Sequence, residues 1–252
     1  MVYNGYKSNA CAKERKNMRK TVVLFDLWET LFDSDYYDFE DGLRYLYDAF
    51  LSERCSYEEF KTEFYRIFRS LFRIQESGPT EVCLIREVIP PLLEKYGLEM
   101  PEDDAELEYM ILASMQKYSV SQDVRDVLER LAVAGVKTAI LSNGLFRGSL
   151  VERLLSESGI RHYFERVFSS ADYGVKKPGK GFFEIALKQI REDHPGIRDD
   201  EILYVGNDYN DDVRGGTGAG IETVWLNVTN ENNADGIACH EIDDITKVLE
   251  FV

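Results

Sequence analysis

Hydrophobic positions along the chain fall into two alternating textures. Residues 21–27 (TVVLFDL), 136–141 (VKTAIL), 202–205 (ILYV) and 222–226 (ETVWL) are short apolar runs rich in β-branched side chains. Runs that are apolar on both faces suit central strands of a parallel sheet covered by helices. Between them the period becomes helical. Residues 121–134 set Val124, Val127, Leu128 and Leu131 on one stripe, and Gly135 stands where a left-handed residue ends a helix. Residues 148–158 repeat the arrangement before Gly159, and residues 181–192 place Phe182, Ile185, Ala186 and Gln189 at helical spacing. Strand, helix, strand in this order predicts an α/β fold: a Rossmann-like parallel sheet with right-handed crossovers, flanked by helices.

One stretch breaks the alternation. From Ser34 to about Ser119 the pattern carries no strand signal, only amphipathic helices. Ser56 with Glu59 has the spacing of a capping box and opens a helix through Phe60, Phe64, Ile67, Phe68 and Leu71, which Gly78-Pro79 should end. A further helix is expected over about residues 80–96, kinked or interrupted at Pro90-Pro91. The dense aromatics here read as the core of a small helical unit. The expected organisation is therefore a core of residues 21–33 and 120–252, an all-helical cap domain of residues 34–119, and a disordered basic tail of residues 1–20.

Composition narrows the function. With 252 residues, 44% of them hydrophobic, the chain can bury a sizeable core. A net charge of −16 argues against nucleic acid or an anionic membrane surface as the partner. It leaves room for a small anionic substrate, because a bound divalent cation reverses the local field. Cys11, Cys55, Cys83 and Cys239 are widely spaced and form no zinc or disulfide pattern, as expected of reduced thiols in a cytoplasmic protein. No apolar run reaches the roughly 18 residues of a membrane span. The N-terminal residues lack the apolar segment of a signal peptide. Nothing in the pattern sets an oligomeric state.

Ligands of an open parallel sheet bind beyond the carboxyl ends of its strands. Four polar clusters follow the predicted strands: residues 26–30 (DLWET), 142–144 (SNG), 176–178 (KKP) and 206–212 (GNDYNDD). Each alone is ordinary turn or capping chemistry, and the acidic run equally suits a helix cap near Asp211 or Asp212. Together they assemble a carboxylate nucleophile, hydroxyl and amide donors, an ammonium and an acidic loop.

In their order, FDLWETLFDS, AILSNG, YGVKKPGKGFFEIAL and YVGNDYNDDVRGGTGAGIETVWLN resemble the four motifs of the haloacid dehalogenase-like hydrolase superfamily, over about residues 21–230. The position of the helical insert is similar to that of the superfamily's small helical caps. The resemblance implies Asp26 as covalent nucleophile and Lys177 as the charge that steadies it. It implies Thr30, Ser142 and Asn143 as phosphate-binding residues. A Mg²⁺ ion would be held by the Asp26 carboxylate, the Trp28 carbonyl, Asp208 and Asp212. Two departures matter. Trp28 stands where the family's phosphatases carry an Asp that shuttles protons, and an indole N–H donates but does not shuttle. Asn207 stands where an Asp is commoner, leaving Asp208 as its replacement, with Asp211 a weaker candidate. Three functions follow as expectations: a magnesium-dependent phosphatase of a small phosphorylated metabolite, a 2-haloacid dehalogenase with an aromatic residue at position 28, or a catalytically weak binding or regulatory member.

Overall fold

A computed structural model describes residues 19–72, 74–75, 78–233, 236–237 and 240–252. The described residues form a six-stranded, wholly parallel sheet from β1 (Val22–Phe25), β4 (Lys137–Ser142), β5 (Phe164–Ser169), β6 (Ile202–Gly206), β7 (Glu222–Leu226) and β8 (His240–Ile242). Their spatial order is β8-β7-β6-β1-β4-β5. The predicted α/β class is therefore right. The continuous hydrophobicity of β1 has a direct cause. Val23 and Phe25 pack into one apolar cluster with Val124, Val127, Leu128 and Leu131 of α5 (Gln122–Val133). Val22 and Leu24 pack into another, with Phe182, Ala186 and Ile190 of α7 (Lys180–Asp193). Gly135 and Gly159 take φ of +73° and +74°, as their stop positions require.

Some expectations are corrected. On α7 the buried stripe runs through Phe182, Phe183, Ala186, Leu187 and Ile190, so Ile185 and Gln189 lie toward its margin. Edge strands β5 and β8 were not foreseen, because Glu165, Arg166 and Glu241 interrupt their apolar texture. Charged residues are typical of sheet edges. The 34–119 stretch is also not purely helical. Between β1 and β4 lie α1 (Phe39–Phe50), α2 (Tyr57–Leu71), α3 (Ile89–Lys95) and α4 (Asp104–Met115), but β2 (Asp33–Tyr37) and β3 (Gln116–Ser119) pair antiparallel where the chain leaves and re-enters the core. A mostly exposed two-stranded neck needs no apolar alternation, hence its silence in the sequence.

Ser56 and Glu59 do form the capping box at the start of α2. That helix ends at Leu71, ahead of Gly78-Pro79, which pairs with Ile74–Gln75 as a short ribbon. The helix expected over 80–96 is divided into a wide turn, Leu84–Val88, and α3. Pro90 and Pro91 sit in the first turn of α3, where a missing N–H costs nothing.

The expected disordered tail falls mainly on residues 1–18, outside the described residues. Lys20, counted with it, is buried. Its ammonium pairs with Glu222 Oε2 at 2.5 Å and donates to Asp200 O at 2.7 Å, while His240 Nε2 lies 2.7 Å from Glu222 Oε1. Burial pushes the Glu222 carboxyl up, but hydrogen bonds from His240 and Lys20 outweigh it and hold the group below the usual range. Removing one member of a buried ion pair strands the other. Glu222→Gln is expected to cost about 3 kcal/mol of unfolding free energy, measured by urea denaturation. A loss within 0.5 kcal/mol would show that Lys20 does not depend on this carboxylate.

Candidate active site

Strand β1 lies between β6 and β4; the chain leaving β1 crosses to β4 and the chain leaving β6 crosses the other way to β7, so a crevice opens above their carboxyl ends. Asp26 occupies that end. Its N–H donates to Val205 O at 2.8 Å, which ties it to β6. The chain then turns sharply. Leu27 O accepts from the N–H groups of Leu31 and Phe32 at 2.9 Å, and Glu29 takes φ of +58°. This turn returns Thr30 to the nucleophile position, its hydroxyl 3.3 Å from Asp26 Oδ2 and 3.1 Å from Asn207 Oδ1. The Glu29 carboxylate accepts from the Ser34 N–H on the exposed side of the turn.

Asp26, Lys177 and Asp212 meet in a buried cluster. Lys177 Nζ lies 2.6 Å from Asp26 Oδ1 and 2.6 Å from Asp212 Oδ1. Tyr204 completes it, its hydroxyl 2.6 Å from Asp212 Oδ1 and 2.9 Å from Lys177 Nζ. Tyr204 escaped the sequence reading because its strand is uniformly apolar. The available signal was that a tyrosine in a fully buried strand must find a partner for its hydroxyl. Gly206 is required for the same cluster: a Cβ there would meet Asp212 Cγ at 2.3 Å.

Asn143 performs a task the sequence did not foresee. Its amide clamps the backbone of Lys177, accepting from the N–H at 2.9 Å and donating to the carbonyl at 3.1 Å. It also donates to Asp211 Oδ2 at 2.9 Å. Ser142 lies on the same sheet edge, but its hydroxyl bonds Asn143 O and not the charged cluster. Asp208 caps the turn Tyr209–Arg214, its Oδ1 accepting from the Asp211 N–H at 2.6 Å, so the cap falls on Asp208 and not on Asp211 or Asp212. Its own N–H donates to Asp212 Oδ2 at 2.9 Å.

Two carboxylates share one ammonium here, leaving one excess negative charge out of water. Burial raises the Asp26 carboxyl, Lys177 opposes this and Asp212 adds to it, with the group pushed up to about 7. Lys177 is held charged by the two carboxylates against the effect of its own burial.

Among the described residues no group of three or more His, Cys, Asp or Glu side chains is placed to enclose a metal ion. Magnesium does not need one, since one or two carboxylates, other oxygens, water and a substrate phosphate satisfy it. Asp26 Oδ2 and Asn207 Oδ1 flank the Thr30 hydroxyl, and the excess charge favours a cation, so the donor set fits.

Residues 79–84, expected in the cap, are stitched to the core loops that carry the site. Lys176 N–H donates to Pro79 O, Glu81 N–H to Gly174 O and Leu84 N–H to Leu145 O. The buried Glu81 accepts from Ser170 Oγ at 3.0 Å, and that oxygen accepts from the Gly144 N–H at 2.9 Å. Beside this strap, a cavity of about 270 Å³ lies between core and insert, walled by Trp28, Tyr37, Met115, Leu145 and Phe146, with Ser34, Gln116, Asn143 and Gly144. Trp28 is braced edge-on by Phe32 and Tyr118 at 5.7 and 6.1 Å.

The molecule is thus a parallel α/β sheet whose central strand ends in a buried carboxylate, flanked by a lysine loop and an acidic loop, with an inserted helical region. The profile of haloacid dehalogenase-like hydrolases matches residues 20–220, and the chain belongs to that family. It is 34% identical over 102 residues to the pyrimidine 5′-nucleotidase YjjG of Escherichia coli, 40% of this chain and less than half (43%) of that relative. It is 23% identical over 229 residues to the pyrimidine 5′-nucleotidase PynA of Streptococcus pneumoniae, 90% of this chain and 93% of that one. In fold it is similar to the putative hydrolase YfnB of Bacillus subtilis, solved bound to magnesium, with TM-score 0.54, 23% identity, and 92% and 97% of the two chains covered. Other solved proteins of this fold are dehalogenases. No helix among the described residues is long and apolar enough to cross a membrane.

In the metal-free protein the Asp26 carboxyl is expected to titrate near neutrality, since burial and Asp212 raise it to about 7. Lys177→Met moves the titration further up, because the opposing ammonium is lost, and added Mg²⁺ moves it down. Infrared difference spectra against Asp26→Asn report it, and a midpoint near 4 in the metal-free protein would contradict the geometry.

Proposed function

We propose that the chain is a magnesium-dependent phosphatase of a small phosphorylated metabolite, acting through an aspartyl-phosphate on Asp26. The observation that carries this reading is the buried Asp26–Lys177–Asp212 cluster with its uncompensated negative charge, set at the carboxyl end of the central strand. A dehalogenase has no need of a cation there, whereas phosphoryl transfer does. The two nucleotidase relatives agree with a phosphomonoester substrate.

Asp26 attacks phosphorus in line, the bond from phosphorus to the ester oxygen breaks, and the alcohol leaves after taking a proton. Water then attacks the aspartyl-phosphate, phosphate departs and the carboxylate is restored. Lys177 holds Asp26 oriented and ionised, and Tyr204 and Asp212 hold Lys177. Thr30, Ser142 and the Asn143 N–H bind phosphoryl oxygens. Asp26, the Trp28 carbonyl and the acidic loop (Asp208 and Asp212) would hold magnesium, whose chemistry there would be to offset the charge of the phosphate. Asn207 is a further oxygen donor in that loop, because its amide oxygen shares the Thr30 hydroxyl with Asp26. Trp28 gives the alcohol no proton donor of suitable acidity, so solvent supplies the proton and the reaction is slow.

The aromatic Trp28 favours a second reading, a 2-haloacid dehalogenase in which Asp26 attacks carbon. Purified protein assayed on phosphomonoesters and on 2-chloropropionate, with Mg²⁺ or EDTA, separates the two. Phosphate release that EDTA abolishes and Asp26→Asn lowers at least ~10³-fold is the expected result. Chloride release insensitive to EDTA would overturn the phosphatase. Trp28→Asp is expected to raise kcat on a phosphomonoester on the order of 10²-fold, by restoring general acid–base help. Unchanged kcat would show that proton transfer does not limit the rate. Asn207→Asp is expected to lower the Mg²⁺ concentration giving half-maximal rate, since an anionic oxygen replaces a neutral one. An unchanged or higher requirement would remove position 207 from the ligand set.

A further inference from the structure

Resting on the phosphatase reading, we infer that the substrate's leaving alcohol is uncharged and bears a flat unsaturated ring, which the cavity beside Trp28 receives. The cavity is bordered by Trp28, two residues beyond Asp26, and by Asn143, whose amide clamps the Lys177 backbone. Its walls are aromatic and apolar: Trp28, Tyr37, Phe146, Leu145 and Met115. Rings stack or meet edge-on with such walls, gaining about 0.5–1.5 kcal/mol beyond burial alone. Its volume of about 270 Å³ lies just under the ~300 Å³ lower end for drug-sized ligands. That space suits one ring with a small polar substituent set. Ser34 and Gln116 supply the polar edge: Gln116 Nε2 donates to Ser34 Oγ at 3.1 Å, which leaves the Gln116 carbonyl oxygen without a partner among the described residues. The Trp28 indole N–H has no partner among them either.

The charges exclude the alternative class of substrate. A second anionic group, whether carboxylate or phosphate, needs a cation where it is buried. None of the described residues lining the cavity is Lys or Arg. Of the cations on the segments flanking it, Arg147 pairs with Glu108 at 2.6 Å, Arg86 pairs with Asp172, and Lys176 Nζ lies 3.9 Å from Glu81. A second cavity, of about 420 Å³, lies on the far side of Thr30 and Asn207 and repels anions outright, with Glu29, Asp33, Asp123, Glu231, Asp243 and Asp244 in its wall. Neither cavity offers a second negative charge a Lys or Arg among the described residues of its wall.

The test compares kcat/KM in saturating Mg²⁺ for uridine 5′-monophosphate and phenyl phosphate with that for 3-phosphoglycerate and phosphoglycolate. The ring-bearing esters are expected to exceed the carboxylates at least tenfold. Equal or reversed preference would overturn the inference while leaving the phosphatase intact. A second measurement needs no turnover: uridine, the dephosphorylated alcohol, is titrated into the protein while tryptophan fluorescence is followed. Saturable quenching that disappears in Trp28→Phe, where only Trp225 emits, supports the ring site even if no ester is hydrolysed. No fluorescence change on adding uridine or phenol overturns it.

Discussion

A single lysine shared by two buried carboxylates is the constraint around which this molecule is organised. Lys177 is 2% exposed, and it must hold Asp26 and Asp212 at hydrogen-bond distance. An ammonium out of water survives only fully paired, and each partner therefore recruits support. Tyr204 rises from the sheet to satisfy the Asp212–Lys177 junction, and Gly206 gives up its side chain so that Asp212 can lie against the strand. Asn143 fixes the Lys177 backbone on both sides. The arrangement still carries one negative charge too many. That surplus links structure to chemistry, because it both restrains ionisation of Asp26 and favours a divalent cation beside it.

The inserted helical region is tied to this centre by specific polar contacts. Residues 79–84 bond to the loops leading to Asn143 and Lys177, and the buried Glu81 reaches Ser170. Farther along, Glu108 of α4 accepts from the Arg147 N–H and guanidinium at the start of α6 (Gly148–Glu157). Burial raises the Glu108 carboxyl, and the arginine opposes it. The wall facing Trp28 is thus placed by the same loops that place the lysine, which couples the shape of the cavity beside Trp28 to the geometry of the Asp26–Lys177 pair.

Trp28 gives the site its individual character. Asp26, Thr30 and Lys177 fall within the stretch that the family profile matches, and an indole stands two residues beyond Asp26. Braced by Phe32 and Tyr118, it presents apolar surface beside the Asp26 turn. Asn207 sets a neutral oxygen in the acidic loop.

The sequence by itself determined the α/β class, four central strands of the sheet, the helix stops at Gly135 and Gly159, and the capping box at Ser56. These depend on local periodicity, on left-handed backbone and on hydrogen bonds spanning three residues. It also pointed to Asp26, Lys177 and Asp212 lying at one edge of the sheet, where the structure brings them into one cluster, because the ends of neighbouring strands converge. Only tertiary structure decided the edge strands and the neck, whose residues are too exposed to leave an apolar pattern. It alone decided that Tyr204 joins the charged cluster, that Asn143 clamps a backbone, and that Lys20 is buried against Glu222. A polar side chain carries no sign of its partner in its own neighbourhood: those partners stand 8 residues away for Tyr204 and Asp212, 34 for Asn143 and Lys177, and 202 for Lys20 and Glu222. Packing brings them together, and the cost of leaving a buried polar group unpaired holds them there.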